Sequence, residues 1–108
     1  MFKLTDVYEF DWPVTVKKPV DGGKFAAESF TVRFLMVPRA RLVELARDGG
    51  FDLLREVVVG WRDVNGEGDA AIAFTEEARE QLIAIPYVRA PLIDAYTDAI
   101  EGKARRKN

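Results

Sequence analysis

Two runs of alternating residues, joined by a proline- and glycine-bearing reversal, most constrain what this chain can become. In Phe10-Asp11-Trp12-Pro13-Val14-Thr15-Val16-Lys17 the apolar Phe10, Trp12, Val14 and Val16 interleave with Asp11, Pro13, Thr15 and Lys17. That is the period-two pattern of a half-buried strand. A second run repeats it, with Phe30, Val32, Phe34 and Met36 on one face and Ser29, Thr31, Arg33 and Leu35 on the other. Between them Pro19-Val20-Asp21-Gly22-Gly23 supplies a fixed φ and two residues that accept positive φ without a steric cost. The pattern predicts an antiparallel β-hairpin over about residues 10–37. Pro13 has no N–H to give to a neighbour, so the first arm either is a sheet edge or begins just after Pro13. Residues 24–28 fit either a long arm or a wider loop.

The remainder reads as about four helices, an α+β fold. Pro38 is placed to open a helix whose apolar stripe is Leu42, Val43, Leu45 and Ala46, closed by Gly49-Gly50. A second helix is expected with Phe51, Leu54, Val58 and Trp61 at helical spacing, although Val57-Val58-Val59 is β-prone. Asp63 to Asp69 is a polar loop, and Ala71-Ile72-Ala73-Phe74 a short extended link. Thr75 is an N-cap for a third helix that turns Ala78, Leu82 and Ile85 inward and stops before Pro86. The fourth starts near Pro91, buries Leu92, Tyr96 and Ala99 or Ile100, and ends at Gly102. With 108 residues the chain has room for one core. Residues 1–102 are therefore expected to form one globular domain, followed by a flexible basic tail at 103–108.

Composition narrows the chemistry. The chain contains neither cysteine nor histidine. That removes disulfides, thiolate nucleophiles, the commonest metal ligand and the commonest general base. Four of the last six residues are basic, leaving 12 basic against 18 acidic residues in positions 1–102, a charge of −6. An acidic body is not the footprint of a nucleic-acid-binding domain. The longest apolar runs fall far short of the roughly 20 residues of a membrane span. Nor does Met1–Asp6 carry a signal-peptide core. The expected setting is the cytoplasm, with neither nucleic acid nor membrane as a partner.

Three constellations invite a chemical reading, and each is explained without one. Asp63, Asn65, Glu67 and Gly68 match the opening positions of a calcium loop, but the twelfth position is Phe74, where a bidentate glutamate is required. Glu76, Glu77 and Glu80 resemble a carboxylate cluster, yet first-turn acids are what the positive end of a helix dipole favours. Ser29, the only serine, lies within a strand rather than on a nucleophile elbow. No enzyme, cofactor or metal site is expected. The residues best suited to meet a partner are Trp12 and Val14 on the hairpin and Lys103, Arg105, Arg106 and Lys107 in the tail. Trp12 and Trp61 each read first as core and only second as partner anchors, a role that suits Trp12 on the hairpin better.

The order of several short motifs carries a resemblance. These are Trp12-Pro13-Val14, the Pro19/Gly22-Gly23 turn, Gly60-Trp61-Arg62-Asp63-Val64, Phe74-Thr75-Glu76-Glu77-Ala78, and Ala95-Tyr96-Thr97-Asp98-Ala99 with a Gly102…Lys107-Asn108 ending. Over about Val14 to Asn108 the chain resembles the tail assembly chaperones of long-tailed (siphovirus) bacteriophages and prophages. The resemblance implies a non-catalytic protein of the bacterial host cytoplasm that self-associates into a homo-oligomer. It would coat the tape measure protein, help recruit tail tube subunits and be absent from the finished particle. It also implies a largely helical fold, from which the hairpin departs. A longer frameshifted form is expected if Lys107-Asn108 is encoded by a slippery AAA-AAC. The alternatives are a structural tail or head–tail connector component retained in the virion, or an unrelated protein-interaction module.

Overall fold

In a computed structural model, which describes residues 1–103, the hairpin is the framework of the fold. Strand β1 (Glu9–Val20) pairs antiparallel with β2 (Lys24–Leu35), matching Phe10 with Phe34, Trp12 with Val32 and Val14 with Phe30. The reversal falls at Asp21-Gly22-Gly23, with both glycines at positive φ. Residues 24–28 belong to the long arm, not to a wide loop. Beyond Lys17 the two strands leave the body, and Val20 and Phe25 are exposed there.

Helix α1 (Arg39–Leu45) follows Pro38. Only part of its expected stripe turns inward: Leu45 is buried and Leu42 packs against the core, whereas Val43 is 55% exposed and Ala46 lies at the surface. After Gly49-Gly50 comes α2 (Phe51–Val57), and here the expectation needs correcting. The helix does not continue through Val58 to Trp61. The chain switches at Val58 into β3 (Val58–Arg62), which pairs antiparallel with β2 through Val32–Trp61 and Phe34–Val58. The β-branched run prefers an extended backbone, and the unoccupied edge of β2 gives it a partner. The sheet therefore has three strands in the order β1-β2-β3, with β1 at one edge.

The polar loop folds on itself, with Gly66 N–H donating to the Ala70 carbonyl and Ile72 N–H to that of Val64. Trp61 donates its indole N–H to the Ile72 carbonyl at 2.8 Å and meets Phe74 edge-on at 4.9 Å. Helix α3 (Glu76–Ile83) begins as expected, the Thr75 hydroxyl accepting from Ala78 N–H at 2.9 Å. It ends two residues earlier than its pattern suggests, and Ile83 is the side chain it buries. Helix α4 (Pro86–Ile100) begins five residues before the expected Pro91. Pro86 takes the first helical position, where its missing N–H has no partner to lose. Pro91 then sits inside the helix. Gly102, at φ 73, closes it, with Gly102 N–H donating to Ala99 and Lys103 N–H to Asp98. This is the Schellman arrangement that satisfies terminal carbonyls.

One face of the sheet and the helices enclose the core. Val14, Val16, Phe30, Val32 and Phe34 meet Leu53, Leu54 and Val57 of α2 and Val88, Leu92 and Tyr96 of α4. Full burial of each large aliphatic contributes about 1.5–3 kcal/mol against the entropy of ordering the chain. On the opposite face Asp11 binds Arg33 at 3.2 Å and Arg62 at 3.0 Å, a charge bridge spanning all three strands. The guanidinium of Arg33, and then that of Arg62, hold the Asp11 carboxyl below its ordinary pKa.

Candidate functional site: a groove beside the open strand edge

The outer edge of β1 and one side of α4 bound a groove of about 330 Å³. From β1 it is lined by consecutive residues Trp12, Pro13, Val14 and Thr15, which places it along the strand's edge rather than over one face. From α4 it takes Tyr87, Ala90, Pro91, Asp94, Ala95 and Asp98, spaced at three to four residues, one helical side.

The hydrogen-bond phase of the strand decides what that edge offers. The Tyr8 carbonyl accepts from Met36 N–H at 2.9 Å, in register with the β1–β2 pairing. Bonding alternates along an antiparallel ladder, so even-numbered residues of β1 exchange bonds with β2 and odd-numbered ones turn outward. The groove edge thus presents the N–H and C=O of Thr15 and Lys17 and the carbonyl of Pro13. Pro13 brings no donor to that edge, which is how natural edges limit unwanted pairing.

The helix wall is apolar, formed by Tyr87, Ala90, Pro91 and Ala95. Asp94 adds an exposed negative charge, and the largely buried Asp98 lies deeper. An apolar wall beside an open edge suits an extended peptide: the ladder supplies backbone bonds and the wall receives alternate side chains.

Trp12 is half-buried, packs edge-on to Phe10 at 6.1 Å and lines the groove. Val14 belongs to the core at 2% exposure, so its side chain faces inward rather than a surface. Lys103 is exposed and pairs with Glu101 at 3.1 Å. Arg105, Arg106 and Lys107 lie outside the described residues, as does most of the expected basic tail. Trp61 is a packing residue of the loop, and Glu80 is engaged by Arg55 at 2.9 Å. Among the described residues no group of three or more carboxylates converges to hold a metal ion. Also among them, no helix is long and apolar enough to cross a membrane.

Tyr87, Ala90 and Asp94 did not emerge from the sequence as a surface, because setting the start of the last helix at Pro91 left Tyr87 and Ala90 in a connector. Proline at a first helical position, applied to Pro86, places residues 87, 90, 91 and 94 on one side.

No family model matches the chain, and no curated protein or solved structure matches it.

Proposed function

We propose that this chain is a non-catalytic tail assembly chaperone of the long-tailed phage type. In this reading it holds the tape measure protein and tail tube subunits during tail morphogenesis in the host cytoplasm, and it leaves before the particle is complete. The observation that carries the reading is the groove between the β1 edge and α4. A chaperone needs a surface that receives a segment of client, and this one combines backbone groups, an apolar wall and a negative charge.

The motifs behind the resemblance have coherent places in the structure. Trp12-Pro13-Val14 forms the strand side of the groove, while Trp61 and Phe74, from two further motifs, meet edge-on. The acidic body and the absence of cysteine and histidine favour binding over chemistry.

Mass spectrometry of purified particles tests the reading. The chain is expected to be present in infected or induced cells and missing from finished particles. Stoichiometric recovery from particles would instead make it a structural component.

A further inference from the structure

The residues before β1 carry the most exposed large apolar side chains among the described residues. In Met1-Phe2-Lys3-Leu4-Thr5-Asp6-Val7-Tyr8, Phe2 is 86% and Leu4 90% exposed. Their spacing of two puts both on one face of an extended segment, and neither glycine nor proline interrupts the eight residues. Such a segment stays uncovered only where nothing in its own fold reaches it.

Its own groove is out of reach by counting. Tyr8 is already tied to Met36. The tightest hairpin reversal before it, a two-residue turn at Asp6-Val7, lays Leu4 beside Glu9 and Met1 beside Trp12. The outward groups of Thr15 and Lys17 lie beyond that end, out of reach of residues 1–8 of the same chain.

We propose that the groove receives the N-terminal segment of a second copy of this chain. The segment adds to the β1 edge as a fourth strand, with Phe2 and Leu4 directed to the wall formed by Tyr87, Ala90 and Pro91. Its backbone bonds to Thr15 and Lys17. Lys3, the one charge between Met1 and Thr5, is opposite in sign to Asp94 on the wall. The segment covers the groove when no client is bound and is displaced by one. The inference rests on the groove being a docking surface and is independent of which client the chain serves.

Two full-length variants separate the halves of the contact: F2S/L4S keeps the groove and loses the segment, and A90R fills the groove and keeps the segment. All three positions are exposed, so folding is checked by circular dichroism and thermal melting, and D94R replaces A90R if the latter melts early. In sedimentation velocity the wild type is expected to self-associate with rising concentration, and each variant at least tenfold more weakly. Isotope-labelled F2S/L4S mixed with unlabelled A90R is expected to show amide shifts at Thr15, Lys17 and Ala90 by NMR. The reverse labelling is expected to leave those amides unmoved. A wild type that stays monomeric at millimolar concentration overturns the proposal. So does self-association that both variants retain, which would indicate direct β1–β1 pairing or another surface, and so does a labelled F2S/L4S groove that A90R leaves unshifted.

Discussion

The Tyr96 hydroxyl donates to the Leu35 carbonyl at 2.9 Å, 61 residues away in sequence, and accepts from Val37 N–H at 3.2 Å. The ring is fully buried and meets Phe34 edge-on at 5.1 Å. One side chain thus ties α4 to the end of β2, and through β2 it fixes the two walls of the groove relative to each other. Replacing Tyr96 by Phe keeps the ring and strands a backbone donor and acceptor. The expected loss is about 1–3 kcal/mol in denaturant unfolding.

Tyr96 also imposes an alkaline limit. Burial pushes its pKa above the ordinary tyrosine value, outweighing the Val37 bond that lowers it. A raised folded-state pKa gives stability that is complete below the unfolded value of about 10 and is lost as pH rises beyond it. Wild-type stability is therefore expected to fall faster than that of Y96F above about pH 10, as measured by denaturant melts across the alkaline range.

Gly50 and Gly49 form a paired test of backbone against packing. Both have left-handed φ, at 92° and 80°. A Cβ on Gly50 would collide with the Ile93 side chain of α4, whereas one on Gly49 would meet only Arg89 Nη1, at 3.8 Å. Gly49→Ala is expected to cost about 1–2 kcal/mol, the left-handed penalty alone. Gly50→Ala adds overpacking of about 1–3 kcal/mol. Equal losses in denaturant melts would mean that the α2–α4 contact yields freely.

Glu56 and Arg41 join α2 to α1 through a forked hydrogen bond, with the shortest approach at 2.6 Å. Arg41 holds the Glu56 carboxyl below its ordinary pKa, against a smaller opposing effect of burial. A depressed folded-state pKa gives stability present above the unfolded value of about 4.3 and lost as pH falls through the folded value. Partly exposed pairs are worth little, so Glu56→Gln is expected to cost no more than about 1 kcal/mol at neutral pH. The difference should vanish in acid, as followed by melts of both proteins from neutral to low pH.

Where the sequence sufficed, local pattern and tertiary demand agreed. The hairpin, its edge position, the glycine reversal, the Thr75 cap and the Gly102 stop each follow from a few adjacent residues. They hold because each is set by neighbours close in sequence: a three-residue turn joins the two arms, and the cap and the stop each act within one helical turn. Val58–Trp61 failed because apolar residues spaced to suit a helix also suit a strand once a β2 edge is waiting. That edge lies some 25 residues upstream and leaves no local trace. The α4 start failed because two prolines suit a first helical position; the chain uses Pro86 there and carries Pro91 within the helix. The groove inherited this error: its strand side, Trp12, was legible, and its helix side was not.

Client binding through the groove is the central claim, and co-expression with the proposed client, a tape measure protein of a long-tailed phage, tests it most directly. Wild type and F2S/L4S are expected to keep the tape measure protein soluble and to co-purify with it, since both retain the groove. A90R is expected to recover it at least tenfold less, a loss of about 1.4 kcal/mol in binding. Equal recovery by A90R, or no recovery by the wild type, would contradict the account.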